Sequence, residues 1–263
     1  MKQQFHHIIV WVGLLIYVIL TAGFAAKKSV EVECAAVEIH LTDTINKLVS
    51  KNEILELLSK KKISIFGSPM SEINKWEIAR QLQNNIPYIS KIGVYPSYDG
   101  KLHIKMALRE PMIRVFNKYG RSYYVDTDGY LMPLSANYSA RVVVATGNIY
   151  ESSPTQRPIL IDSLYRDTTN HRKPLKDIFN IVSYINQDPM LKAQFEQIHV
   201  QGSDYILIPK VGMQTIVLGD ADNIVDKFYR LKALYYKGFG NLGWQKYKSV
   251  SLKYSNQVVC IKR

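Results

Sequence analysis

The feature that most restricts this chain is an uninterrupted apolar run near the amino terminus, residues 8–26, IIVWVGLLIYVILTAGFAA. The run carries no charged residue and ends at Lys27 and Lys28. In a helix, at about 1.5 Å of rise per residue, it spans about 28 Å, close to the thickness of a bilayer's hydrocarbon core. The sequence therefore predicts a transmembrane helix over residues 8–26 after a cytoplasmic tail over residues 1–7.

A cleaved signal peptide is the alternative interpretation of the same run. Gly23-Phe24-Ala25 offers the small-x-small pattern that such cleavage sites need. The run is longer than the usual apolar region of a signal peptide, which extends to about 15 residues, and this favours an uncleaved anchor. In both cases the rest of the chain, residues 29–263, is predicted to lie outside the cytoplasm.

The charge balance is strongly basic, with a formal net charge of +12 and a pI of about 9.5. The lysines and arginines are dispersed, and neither a recognition helix nor a zinc-finger spacing accompanies them, so no nucleic-acid partner is predicted. Outside a membrane, a basic surface attracts anionic lipid headgroups or acidic partner segments. A simply solvated surface explains the same charge.

Residues 29–109 predict a small domain in the order β-α-α-β-β. Val37–Leu41 alternates apolar and polar residues like a half-buried strand. The pattern Ser50-Lys51-Asn52-Glu53 is a capping box that opens a first helix. A second helix begins after Asn74, with a predicted apolar stripe of Ile73, Trp76, Ala79, Leu82 and Ile86.

Two strands complete this domain. Ile89–Pro96 and Leu102–Leu108 alternate in the same way, and Asp99-Gly100 between them is a hairpin signal. Two amphipathic helices over a three-stranded mixed sheet would bury both apolar faces. This arrangement resembles a POTRA domain.

Residues 110–263 predict a second, mostly antiparallel β-domain with packed helices, which makes the whole chain α+β. Pro174 is predicted at the first position of one helix and Ile224–Tyr236 forms another. The predicted strands are 112–116, 121–125, 130–133, 141–146, 197–201, 204–209, 213–218, 250–254 and 257–261.

Five motifs in order carry a family resemblance. They are Leu108-Arg109-Glu110-Pro111, Ile113-Arg114-Val115, the hairpin Tyr123–Gly129, Ile216-Val217-Leu218-Gly219 with the following helix Lys227–Leu234, and Val250–Tyr254. Behind a membrane anchor, this series resembles the FtsQ/DivIB family of bacterial cell-division proteins. Ser251 and Lys253 depart from the acidic and arginine residues usual in the last motif.

The resemblance implies a non-enzymatic scaffold in the cytoplasmic (inner) membrane, with a single span and most of the chain outside, at the division septum. Its implied partners are the FtsB- and FtsL-like coiled-coil division proteins and, through them, the FtsW–FtsI pair that builds septal peptidoglycan. It implies no cofactor, no metal and no small-molecule substrate. A POTRA-containing chaperone of outer-membrane or secretion assembly is the alternative binding protein.

The predicted partner site is the final strand, because no further chain follows to pair with its outer side and an extended partner segment can add there. The terminal charges Lys262 and Arg263 allow the opposite interpretation, that they block this edge. The predicted partner-binding residues are Lys253, Tyr254, Gln257, Val258, Val259, Cys260, Ile261 and Lys262.

A separate recruitment surface is predicted at Trp76, Arg80, Tyr88 and Ile89. The alternative for Trp76 is packing in the core of the first domain. Both predicted surfaces act by binding.

A catalytic interpretation competes with the scaffold. Asp126-Thr127-Asp128-Gly129 resembles the nucleophile loop of haloacid-dehalogenase phosphatases, with Asp126 and Asp128 as nucleophile and general acid, and Gly219–Asn223 resembles their metal-binding segment. A hairpin turn and a helix cap at Asp222 or Asn223 explain the same residues.

The remaining reactive side chains predict no site. His40 and His103 are predicted as structural histidines on strands, since no metal-binding spacing connects the histidines. Cys34 and Cys260 are predicted to be unpaired buried thiols, because one distant pair is no disulfide framework.

Overall fold

The computed structural model describes residues 11–21, 32–42, 48–61, 65–152, 154, 157–166, 172–239 and 243–263. Residues 11–21 are helical, while the rest of the predicted span, residues 8–10 and 22–26, and the predicted tail, residues 1–7, lie outside the described part. Within the described part, no helix has both the length and the apolar character needed to cross a bilayer.

The chain divides into two compact units. The first comprises residues 1–44, 50–84 and 89–108, and the second comprises 45–49, 85–88 and 109–263. The mixed α+β class, the POTRA-like order of elements and the large second sheet agree with the sequence-based prediction.

Besides the helical residues 11–21, the described part of the first unit contains a three-stranded sheet and two helices. Its strands are β1 (Ala36–Leu41), β2 (Ile89–Pro96) and β3 (Lys101–Leu108), and its helices are α1 (Lys51–Lys60) and α2 (Lys75–Asn85). Strand β3 lies in the centre, parallel to β1 and antiparallel to β2. Alternate residues of β3 are buried: Leu102, Ile104, Met106 and Leu108.

Local capping explains where the two helices begin. The Ser50 hydroxyl accepts a hydrogen bond from the Glu53 amide at 3.2 Å, and the Glu53 carboxylate accepts one from the Ser50 amide at 3.0 Å. The Asn74 side chain accepts from the Glu77 amide at 3.0 Å. Both predicted caps are confirmed, and each satisfies backbone donors that a helix leaves unpaired at its start.

The predicted stripe of α2 is wrong at Trp76. The helix buries Ile78 and Leu82, whereas the Trp76 side chain is 79% exposed. Two residues before Ile78, at about 100° per residue, a side chain lies about 200° around the helix and therefore on its outer face. Core packing of Trp76 is thereby excluded.

The second unit is built on a ten-stranded sheet in the order β13-β12-β11-β10-β9-β7-β4-β5-β6-β8. Six neighbouring pairs are antiparallel and three are parallel. The strands are β4 (Pro111–Phe116), β5 (Ser122–Asp126), β6 (Tyr130–Met132), β7 (Val143–Gly147), β8 (Ile159–Leu160), β9 (Phe195–Gln201), β10 (Asp204–Pro209), β11 (Thr215–Gly219), β12 (Tyr247–Ser251) and β13 (Val259–Lys262).

In the described part of this unit there are four α-helices: α3 (Ile161–Leu164), α4 (Pro174–Gln187), α5 (Pro189–Gln194) and α6 (Ile224–Ala233). The longest, α4, begins with Pro174 as predicted and buries Leu175, Ile178, Ile181, Val182 and Ile185. These side chains belong to one apolar cluster with the inner faces of the strands. Burial of these apolar side chains stabilises the unit.

Strand β7 joins the two halves of this sheet. It pairs in parallel with β4 on one side and with β9 on the other. At its end Gly147 has φ +99, and a Cβ there would lie 2.2 Å from the Val200 carbonyl oxygen of β9. Only glycine fits this backbone conformation and this close approach.

The last predicted helix differs from the observed one. The α-helix ends at Ala233 and a π-helix, Leu234–Phe239, continues it. Asn223 has φ 50 and its side chain makes no capping hydrogen bond, so the predicted side-chain cap by Asn223 is wrong. The short elements β8, α3 and α5 were not predicted, since each is too short to show a clear period.

We expect Gly147→Ala to lower the free energy of unfolding of the second unit by about 3 kcal/mol or more, because the left-handed conformation and the contact with the Val200 oxygen both disfavour a methyl group. Gly120→Ala is the matched control. Gly120 also has φ +75 but open space around it, so we expect a loss of only about 1 kcal/mol. Urea denaturation measures both values, and equal losses would contradict the role of the β7–β9 contact.

Candidate partner-binding edge of the distal sheet

Strand β13 lies at one end of the ten-stranded sheet. Among the strands that the structure describes it pairs with β12 alone, in the register Ser251↔Val259, Val250↔Cys260 and Ser249↔Ile261. In an antiparallel pair, alternate residues direct their N–H and C=O groups away from the neighbouring strand. Among the described residues no strand accepts those outward groups, so β13 presents an open hydrogen-bonding edge.

The two faces of β13 differ. Cys260 is half-buried against the apolar cluster, and burial raises the pKa of its thiol. Val259 and Ile261 project to the opposite face and are 39% and 56% exposed. An added strand would therefore meet backbone groups at the edge and two apolar side chains beside it.

The opposite end of the sheet has a different construction. Strand β8 contains only Ile159 and Leu160 and runs directly into α3. A two-residue edge offers almost no ladder for an incoming strand. Of the two ends of the distal sheet, β13 is the one suited to strand addition.

Arg230 holds the segment that leads into β13. Its guanidinium donates to the carbonyl oxygens of Tyr254 at 2.8 Å, Gln257 at 2.7 Å and Leu252 at 3.3 Å. Its Nε donates to the Asp226 carboxylate at 2.8 Å. One largely buried side chain thus ties the loop between β12 and β13 to helix α6.

Sequence reasoning did not identify Arg230. It is one of several basic residues in the predicted helix, and no spacing in the sequence relates it to a loop more than twenty residues later. The contact depends on the tertiary packing of α6 beside the end of the sheet, which local patterns do not encode.

The structure places the other predicted edge residues around this loop. Lys253 Nζ lies 3.1 Å and 3.2 Å from the two Asp204 carboxylate oxygens, Tyr254 and Gln257 are exposed, and Val258 is partly buried. Lys262 is exposed at the end of β13. The predicted residues therefore form one contiguous segment, with Cys260 and Val258 turned inward.

The terminal arginine does not lie free along the edge. The Arg263 amide donates to the Lys246 carbonyl oxygen at 3.1 Å, and its guanidinium donates to the Met213 carbonyl oxygen at 3.3 Å. Both contacts turn it toward the sheet's own residues. Of the two terminal charges predicted to block the edge, Lys262 is then the one that could still do so.

The predicted recruitment residues have unequal exposure. Trp76 and Arg80 lie on the outer face of α2, where Arg80 pairs with Glu77 at 2.5 Å. The Tyr88 hydroxyl donates to the Leu134 carbonyl oxygen at 2.8 Å. The Ile89 side chain is buried, so its predicted contribution to a binding surface is wrong.

The Asp126 motif forms a hairpin turn. Strand β5 pairs with antiparallel strands on both sides, which is not the parallel setting of a phosphatase nucleophile. The buried Asp126 carboxylate accepts from the Asp128 amide at 3.0 Å, the Tyr130 amide at 2.7 Å and Arg109 at 2.8 Å. Burial raises the pKa of this carboxyl although Arg109 opposes the shift.

The second acidic motif is also structural. Gly219 ends β11 with φ +77, and the Asp220 carboxylate lies 2.5 Å from Lys227 Nζ. The hydrogen bond from Lys227 lowers the pKa of Asp220. In each predicted phosphatase motif, the first acidic residue, Asp126 or Asp220, therefore already has a structural partner for its carboxylate.

The fold and the open edge of β13 define a class of protein, a two-unit scaffold in which a POTRA-like β-α-α-β-β unit precedes a sheet with an open edge. A family model for the POTRA-like domain matches residues 32–107, and a model described as FtsQ/DivIB, C-terminal related, matches residues 110–261. Since the second match covers more than half of the chain, the chain belongs to the FtsQ/DivIB family. No curated protein matches the chain significantly.

The resemblance predicted from the five sequence motifs is thus confirmed. Both matched domains are non-catalytic scaffold domains, and the family supports a role in cell division through protein–protein contacts. Proteins of this family are typically anchored in the membrane.

We expect Arg230→Met to lower the free energy of unfolding of the distal unit by about 2 to 4 kcal/mol, because three carbonyl groups lose a charged donor. Amide hydrogen exchange in β13 should accelerate in the same variant. Asp226→Asn is the control, since its carboxylate is largely exposed and its ion pair is expected to contribute less than about 1 kcal/mol. Unchanged exchange in Arg230→Met would show that the loop is held by other contacts.

Proposed function

We propose that this protein is a membrane-anchored scaffold of bacterial cell division that binds FtsB- and FtsL-like coiled-coil partners through the edge strand β13. The observation that carries the proposal is the open side of β13, which pairs with β12 alone in the described part of a chain that belongs to a family of division scaffolds. The anchor is the predicted span over residues 8–26.

The binding step is the addition of an extended partner segment to β13. Backbone hydrogen bonds supply the affinity, and the side chains beside the edge supply the selectivity. Val259 and Ile261 offer apolar contacts on one face, and Tyr254 lies exposed in the adjoining loop. Because Arg230 already orders this loop, little conformational entropy remains to be lost on binding.

The partners connect the scaffold to septal wall synthesis. In the proposed arrangement, most of the chain lies outside the cytoplasm at the septum, and the coiled-coil partners pass its influence to the FtsW–FtsI synthase pair. The scaffold acts by binding, without catalysis and without a cofactor. Support for this part comes from the family assignment.

Recruitment to the division site is proposed for the outer face of helix α2. Trp76 and Arg80 are both accessible there, and an exposed tryptophan beside an arginine is a combination enriched at protein interfaces. Tyr88 belongs to the second unit, where its hydroxyl is bonded to Leu134, and its role in recruitment stays a prediction.

Adjacent proline substitutions test the docking edge, because Cys260 and Ile261 direct their N–H groups to opposite sides of β13. We expect proline at the position whose N–H normally faces β12 to destabilise the distal unit, because it removes a hydrogen bond between β12 and β13. The other variant should keep a melting temperature near that of the unmodified protein and weaken partner binding by about 10-fold or more, since it removes an outward donor from the interface. Co-purification with the coiled-coil partner and thermal melting measure the two effects.

Two further variants complete this test. Tyr119→Ala changes an exposed aromatic residue between β4 and β5, away from β13 in the strand order, and should bind normally. Deletion of residues 255–263 should abolish co-purification. Full recovery of the partner with this truncated chain refutes the docking assignment.

The recruitment surface is tested in dividing cells with Trp76→Ala. Because Trp76 is exposed, we expect a change in stability below about 0.5 kcal/mol and a loss of midcell foci in fluorescence microscopy. Tyr98→Ala, an exposed aromatic residue of the same unit, is the matched control and should leave the foci unchanged. A uniform envelope signal from the unmodified protein would instead favour the chaperone alternative.

A further inference from the structure

Strand register brings three metal-binding side chains together on the first unit. Glu38 and His40 are two residues apart on β1 and therefore point to the same face of the sheet. His103 stands opposite Glu38 on the parallel neighbour β3. This face is the more exposed one, since the neighbouring β3 residues Leu102 and Ile104 are buried on the other side.

The three potential ligand atoms form a nearly equilateral triangle. Glu38 Oε2 lies 3.6 Å from His40 Nε2 and 3.5 Å from His103 Nδ1, and the two nitrogens are 3.5 Å apart. A tetrahedral Zn²⁺ ion with bonds of about 2.0 to 2.1 Å separates its ligands by about 3.3 to 3.4 Å. Shifts of a few tenths of an ångström would therefore close the triangle around such an ion.

Direct hydrogen bonding explains this arrangement less well. A good N–H···O bond has a heavy-atom distance of about 2.7 to 3.2 Å, and all three separations exceed that range. Three acceptor-capable atoms thus face one another at a distance that suits a shared cation better than a shared proton.

Neighbouring side chains orient the ligands. Lys101 Nζ lies 2.7 Å from Glu38 Oε1, which leaves Oε2 directed toward the imidazoles. The ring of His40, itself a proposed ligand, stacks on that of His103 at 5.6 Å with an interplanar angle of 25°, so one imidazole has to rotate before both nitrogens face the same ion. The His103 ring also stacks on Tyr95 at 5.3 Å. Such outer contacts fix ligand orientation in metal sites. The charge of Lys101 opposes a cation, and Asp99, 3.7 Å away, partly offsets it.

We propose that Glu38, His40 and His103 form a Zn²⁺ site on the exposed face of the POTRA-like sheet. Two imidazole nitrogens and one carboxylate oxygen are a donor set typical of zinc sites that keep a fourth position open. His40 is half-exposed, so the fourth position faces solvent and takes water or a donor from another molecule. The site is independent of the docking edge on β13.

No metal was predicted at these histidines because His40 and His103 are separated by 63 residues and no motif links them. Only the parallel pairing of β1 with β3 brings them together. A two-residue Glu-x-His spacing on a strand was the one local signal.

Zn²⁺ titration of the purified, metal-free full chain tests the site, with a chromophoric chelator as competitor. We expect one Zn²⁺ per chain, and dissociation constants raised at least about 10-fold in Glu38→Gln, His40→Ala and His103→Ala. Co²⁺ in place of Zn²⁺ should give the visible absorption of a tetrahedral ion, and each variant should lose it. Melting curves in a chelator establish that the variants remain folded.

Two controls separate this site from other histidines. His199→Ala alters a histidine of the second unit that bonds to Thr146, and it should bind Zn²⁺ normally. His6→Ala/His7→Ala removes the amino-terminal pair and should also bind normally. The proposal is overturned if the unmodified chain binds no Zn²⁺, if the three ligand variants bind as it does, or if the amino-terminal double variant alone abolishes binding.

Discussion

The distal sheet is continuous only because β7 bonds in parallel to β4 and to β9. On either side of it the strands are joined by antiparallel pairs, apart from the β11–β12 pair near the end. Parallel pairing joins segments that are distant in the sequence, and the three strands must fit closely where they meet. Gly147 permits that fit, and the apolar cluster under α4 then extends across both halves.

The continuous sheet supports the edge strand β13. An edge strand is useful for binding only if it remains extended without a partner, and β13 has four residues and a single neighbour. Arg230 resolves this difficulty by holding the preceding loop through three carbonyl groups. The same contact connects α6 with the edge, so a displacement of α6 would also displace the loop before β13.

Much of the local structure follows from the sequence because its signals are local. Ser50 with Glu53, Asn74 with Glu77 and Pro174 each mark a helix start by satisfying or omitting backbone donors nearby. The central place of β7, the loop contact of Arg230 and the meeting of His40 with His103 depend on distant pairings, which no periodicity reports. The predicted stripe of α2 included Trp76, whereas the buried face contains Ile78 and Leu82. Trp76 precedes Ile78 by two residues and therefore lies on nearly the opposite side of the helix.

The unequal ends of the distal sheet have a consequence for self-assembly. Growth of sheets into a fibre requires each copy to offer one edge and to accept at the other, in a head-to-tail manner that never closes. Here β8 is two residues long and passes at once into α3, so a second copy seated on β13 finds no comparable ladder at the far end. Among the described residues, the two ends of the distal sheet are therefore not complementary, and a head-to-tail addition of sheet to sheet is disfavoured.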